Sequence, residues 1–184
     1  MNTPRGVWLD DLTRQEATSR FNGNAAVVVP VASGSAPWPH LPLRTAPLIA
    51  RALGQKLLER LSVVVTPVVD ADFFARHETL GQVLVERLDE LRSLGVRRIA
   101  ILEVALSPAA PLDVSGDVLM LRVRDAVDAD EYATSCLMAL DPRSVRMPLL
   151  PAGSRAQAFA GERAMAAQVD AFGEALLSKW PDLL

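Results

Sequence analysis

Ala25–Val31 is an apolar run without polar alternation, and Ser62–Val69 and Arg98–Val104 repeat the pattern. Strands with no polar face are those covered on both sides, as in a parallel sheet. Pro67 interrupts the second run and predicts that its pairing ends near there. Between the runs the period becomes helical. Ile49, Leu53, Leu57 and Leu61 recur every four residues after Thr45, a candidate cap, and Pro47 sits in the first turn, where its missing N–H is harmless. Leu80, Leu84, Leu88 and Leu91 form a second stripe from a Thr79 cap, with Gly95 just past its end, so they predict core. Asp117–Val123 reads as a fourth strand, joined to the third by Ser107–Gly116, which is too short and Pro-rich for another crossover helix.

The remaining elements follow from caps and breakers. Thr13-Arg-Gln-Glu16 has capping-box spacing and opens a helix to about Phe21, stopped by Asn22-Gly23-Asn24. Glu131–Leu140 is predicted as a helix closed by Asp141-Pro142, Arg143–Gly153 as a loop, and Ser154-x-x-Gln157 as the opening of a last helix to about Lys179. Alternating strands and helices predict an α/β fold: a mostly parallel sheet of about four strands flanked by helices, in a single layered domain over residues 1–184. In such sheets ligands sit beyond the carboxyl ends of the strands. Here that means Ala32–Ala46, Asp70–Thr79, Ala105–Gly116 and Arg124–Glu131.

Composition narrows the function classes. No apolar stretch approaches the roughly 20 residues of a membrane span, and the first residues lack a signal-peptide core, so a cytoplasmic protein is expected. The single Cys136 excludes an internal disulfide and CxxC chemistry, and its apolar helix predicts a core residue. The 19 basic and 22 acidic residues are interspersed without a basic stripe, which argues against nucleic acid. The preference for Arg over Lys, with abundant Ala and Leu, fits high-GC coding in a bacterial genome. With only His40 and His77 present, a His-rich zinc site would need both to converge with carboxylates. His77, between Arg76 and Glu78, reads as a solvated helix-terminal residue.

The first carboxyl-end loop reads PVASGSAPWPHLPLRTA and resembles the creatininase (creatinine amidohydrolase) family, which reads PVGSxEQHGPHLPLGTD after its first strand. Pro30, Val31, Ser33, Thr45 and the uninterrupted Pro39–Leu43 match. Downstream, Ser93–Leu102 is similar to the family's SLxxxGFRRIVIVN segment, Ala133–Pro142 to its ETSLMLALxP run, and Trp8–Thr13 to its opening element. The resemblance implies a creatininase-like fold, symmetric oligomers and, in active members, a two-metal centre whose bridging water attacks an amide or cyclic amidine carbon. Such a centre needs anionic oxygens and imidazole nitrogens. At the positions the resemblance assigns to metal ligands this chain has Ser35, Pro37, Ala46, Ala105 and Ala133, and Asp128 replaces a catalytic histidine. Alanine and proline side chains carry no donor atom. The resemblance marks His40 as a supporting residue.

Two metal-free chemistries remain. Glu103 and Asp128 lie at the rim of the old site and, with Ser35, His40 and Glu131, form an acid/base cluster if they converge. Ser33 or Ser35 with His40 and Asp128 would make a triad, although no nucleophile elbow surrounds either serine. Trp38, where the family has glycine, either plugs the vacated cavity or, with His40 and Glu131, contacts a ligand or partner chain. The expectation is a creatininase-fold pseudoenzyme with no cofactor, no nucleic-acid or membrane partner, and a place in a homo- or hetero-oligomer with an intact paralogue. The alternatives are a metal-free hydrolase of a small amide or cyclic C–N bond and a small-molecule binding module.

Overall fold

The computed structural model describes residues 6–33, 36–70, 77–106, 114, 116–123 and 129–183, and of residues 77–79 the backbone only. Elements run in the order β1 (Val7–Trp8), α1 (Arg14–Asn22), β2 (Ala26–Ser33), α2 (Thr45–Leu58), β3 (Val63–Val65), β4 (Val69–Asp70), α3 (His77–Ser93), β5 (Arg98–Ala105), β6 (Val118–Arg122), α4 (Ala129–Leu140) and α5 (Ala158–Lys179). The strands form one sheet ordered β1-β3-β2-β5-β6, with β4 also on β2, and every pairing is parallel. The mostly parallel α/β sheet is therefore present, with six strands against the four expected.

The apolar runs behave as two-sided burial demands, since all eight residues of β2 are buried. Even-numbered positions of β2 and β5, such as Val28, Ala32, Leu102 and Val104, pack in one core with α2, α4 and α5. Odd-numbered positions, such as Val27, Val31, Ile99 and Ile101, pack in another with α3 and Phe21 of α1. The two cores are the two faces of the sheet, separated by the strand period of two. No helix among the described residues is long and apolar enough to cross a membrane.

Local chemistry explains where expectation and structure part. The Thr13–Glu16 capping box forms with both reciprocal hydrogen bonds, and Gly95 ends α3 at φ +90°. Thr45, by contrast, is not a cap. Arg44 holds that position, and the Thr45 hydroxyl donates back to the Pro42 carbonyl at 2.6 Å. α2 ends at Leu58, so Leu61 is buried beyond the helix and not on its stripe. α3 starts at His77, ahead of Thr79, and α4 at Ala129, ahead of Glu131. Ser154 does not cap α5; its hydroxyl accepts from Ala156 N, while Gln157 N donates across to Ser135 Oγ of α4. Within the expected loop 143–153, Met147–Leu149 makes a 3-10 turn, preceded by another at Pro142–Ser144.

Pro67 divides the predicted strand, as its missing donor requires, but pairing resumes beyond it. Val65 pairs with Val28 and Val69 with Val31, so four steps on one chain oppose three on the other. The extra residue is a bulge at the proline. β1 was not expected at all. The Ser107–Gly116 connection lies outside the described residues apart from Val114 and Gly116.

The chain end is tied beneath the sheet. Arg98 Nη1 donates to both carboxylate oxygens of Asp182 at 2.9 and 2.8 Å, and Leu183 is buried. The Arg98 hydrogen bond holds the Asp182 carboxyl below its ordinary range. A depressed carboxyl contributes stability above its unfolded pKa and loses it as pH falls through the folded value. We expect Asp182→Asn to lower the melting temperature at neutral pH, and the gap from the parent to close in acid; a gap independent of pH would assign the anchor to packing.

Candidate functional site

His40 lies in the turn between β2 and α2 and is fully buried. The turn is closed by Leu41 N donating to Trp38 O at 3.1 Å, and Arg146 N donates to the His40 carbonyl at 2.9 Å. The imidazole reaches α4, where its Nε2 lies 2.8 Å from Thr134 Oγ1 and 2.9 Å from Asp130 Oδ1. Thr134 Oγ1 in turn donates to Asp130 Oδ1 at 3.0 Å. With that hydroxyl proton committed to Asp130, the geometry assigns a proton to His40 Nε2, shared between the threonine oxygen and the carboxylate. His40 Nδ1 is left buried with no hydrogen-bond partner. Asp130 sits in the first turn of α4, where the helix dipole favours a negative charge. This triad of groups locks the first carboxyl-end loop onto α4.

Glu103 has a different environment. Its side chain is 4% exposed, and its Oε2 accepts from Arg122 Nε at 2.9 Å. Register places Val31, Glu103 and Arg122 side by side across β2, β5 and β6. Val31 belongs to the core under α3, so Glu103 and Arg122 point to that face, and so does Ser33, two residues beyond Val31. Ser33 Oγ is buried without a partner. His40 works on the other face, between the α2 and α4 elements of the opposite core, whose members include Leu41, Ala46 and Ala133.

Of the expected acid/base cluster, the structure does not bring Glu103 and His40 together. The sheet separates Glu103 from His40, because strand alternation sends the Glu103 carboxylate under α3 while the His40 loop folds over the α4 side. Ser33 and His40 are likewise not paired with each other. Asp128 and Ser35 lie outside the described residues. Glu131 is half-buried on the first turn of α4, next to Asp130 and engaged in an interaction of its own. Trp38 is half-buried and packs against the core of α2, α4 and α5. Cys136 is buried, and desolvation pushes its thiol up to about 11, which suits core packing and not a nucleophile. The side chain of His77 is outside the description.

The described residues at the positions that the resemblance assigns to metal ligands supply no side-chain donor set for two metals. Ala46, Ala105 and Ala133 offer no side-chain donor, Pro37 is exposed, and the buried Glu103 carboxylate already faces a guanidinium. Among the described residues no group of three or more His, Cys, Asp or Glu side chains is placed to hold a metal ion. Sequence reasoning missed Arg122, since its partner is set by β5–β6 register, which no local signal encodes. It also passed over Asp130 and Thr134, although their i, i+4 spacing on a helix was readable.

No protein-family model matches the chain, and no curated protein matches it significantly in sequence. Solved structures do match. A manganese creatininase superimposes with a TM-score of 0.75 at 15% identity, covering 96% of this chain and 100% of its own. A creatininase mutant complexed with creatine gives 0.76 at 15%, with 96% and 100% covered. A creatinine amidohydrolase gives 0.74 at 17%, with 95% and 98% covered. At such identity the likeness speaks for architecture, and it extends over nearly the whole length of both chains. This chain has the creatininase fold.

Proposed function

We propose that this chain is a creatininase-family pseudoenzyme, a single domain that keeps the scaffold without the two-metal amidohydrolase centre and serves as a non-catalytic subunit or regulator of an active homologue. One observation carries the reading: the two buried ionisable side chains described at the carboxyl edge of the sheet, Glu103 and His40, each hold an internal partner. Glu103 is committed to Arg122 on one face, and His40 to Asp130 and Thr134 on the other. Groups arranged this way hold loops and strands together. Among the described residues no group of three or more His, Cys, Asp or Glu side chains is placed to hold a metal ion, whereas the two-metal hydrolytic chemistry needs such a set. The structural creatininases that this fold resembles include a manganese form, so metal is the decisive quantity. The metal-free hydrolase reading is less favoured, because Glu103 and His40 each hold a partner of their own, while Asp128 lies outside the described residues.

Native mass spectrometry of the untagged protein from its own cells, with elemental analysis of the same sample, tests this. The expected result is a metal-free chain in a complex with a longer, metal-bearing homologue. Two metal ions per copy of this chain, with amidohydrolase turnover, would overturn it.

A further inference from the structure

A cleft of about 480 Å³ opens beside the His40 region, between the turn after β1, the start of α2 and the end of β4. Its size falls within the roughly 300–1,000 Å³ of small-molecule sites, and it lies at the carboxyl ends of the strands, where α/β sheets bind ligands. None of His40, Glu103 or Trp38 enters its wall. Its lining includes Asp10 and Asp11, adjacent in the 3-10 turn Leu9–Asp11, and Asp70 at the end of β4. It also includes Arg44 and Arg51. Among the described residues no ion pair involves Asp10, Asp11 or Arg44.

That separation is unusual for a surface, because opposite charges on flexible side chains in one cleft ordinarily meet and neutralise each other. Here Asp10 and Asp11 stand in the turn after β1 and Arg44 at the start of α2, and no ion pair joins them. Arg44 is the residue from which α2 departs, and no acidic residue in the first turn of that helix competes for its positive end. Arg51 lies over the Trp8 ring at 5.5 Å, and the Trp8 indole Nε1 donates to Gln55 Oε1 at 2.8 Å, which fixes the ring in the lining of the cleft. Pro47, Leu48 and Val68 add apolar surface to the lining.

We propose that this cleft binds a small zwitterion whose ammonium and carboxylate are joined by an apolar stem. The ammonium faces Asp10 and Asp11, the carboxylate faces Arg44 and the start of α2, and the stem lies on the Pro47–Leu48 floor. The inference does not rest on the pseudoenzyme reading, since it uses none of the residues of that argument and its readout involves no metal.

The test titrates the full chain with 6-aminohexanoate, hexanoate and hexylamine, following the indole N–H resonance of Trp8, assigned with Trp8→Phe. Saturable binding of 6-aminohexanoate is expected with a dissociation constant on the order of millimolar, as suits a small ligand in an open site. Each single-charge compound should bind at least about fivefold more weakly, the scale of an exposed ion pair. Arg44→Gln should weaken 6-aminohexanoate and hexanoate but not hexylamine, and Asp11→Asn should weaken 6-aminohexanoate and hexylamine but not hexanoate. Both residues are exposed, so unchanged melting temperatures accompany these effects. Equal binding of the three compounds, no saturable shift, or a shift confined to the indoles of Trp38 or Trp180 would each overturn the proposal.

Discussion

Gly161→Ala is expected to destabilise the chain by about 3 kcal/mol, the upper end of what overpacking a tight contact costs. Gly161 lies in the first turns of α5, where that helix crosses α4, and a Cβ built there would stand 2.1 Å from the Ser135 carbonyl oxygen. The obstacle is backbone, so no rotamer change relieves it. Helix propensity works in the opposite direction, since alanine gains about 1 kcal/mol over glycine inside a helix. The overlap wins, because α4 and α5 must move apart and lift Met165, Val169 and the Cys136 region from their contacts. Gly173→Ala, in the same helix with nothing within 4 Å of its Cβ, isolates the propensity effect and should stabilise. Urea unfolding of both variants measures the difference. A Gly161 variant as stable as the Gly173 variant would show that the crossing is looser than these distances.

The second large effect concerns Glu103. Arg122→Ala is expected to cost about 3 kcal/mol, because it leaves a carboxylate that is 4% exposed without its counter-ion. Arg122 itself is 40% exposed, so water entering behind the deletion moderates the loss. The double variant Glu103→Leu with Arg122→Met removes both charges and keeps the volume, and it should recover the parent stability or exceed it. Such a cycle separates the pair from its surroundings. A single Arg122 variant with unchanged unfolding midpoint would mean that Glu103 is not held by this contact, and would return it to the pool of reactive groups.

The pair also shows why the candidate site was only half legible. Glu103 stands in the run Arg98–Val104, where the period of two already tells that it shares a face with Ile99 and Ile101. What the run does not tell is which helices cover that face. α3 does so here, while the loop bearing His40 folds onto the α4 side, and two residues that look like neighbours at the rim are divided by a sheet. Likewise the motif around Pro39–Leu43 marked His40 as supporting, but its partners are supplied from 94 residues away at Thr134 and from Asp130 on the same helix.

Elements whose signal is local were readable. The unalternating runs of β2 and β5, the leucine stripe of α3 with Gly95 behind it, and the Thr13 capping box each depend on residues within a turn or two, so the sequence by itself determined them and with them the α/β class. The matches around Pro39–Leu43 also pointed to the creatininase fold. Only the tertiary structure decided the rest. Val7–Trp8 is too short to carry a period and is a strand because β3 offers it an open edge. Val69–Asp70 resumes pairing after Pro67 because β2 continues beside it. Gln157 finds its hydrogen bond on Ser135 because α5 crosses α4, and Ser154 is left without that task. Each of these depends on what stands opposite after the chain has folded back, and a one-dimensional pattern holds no record of that.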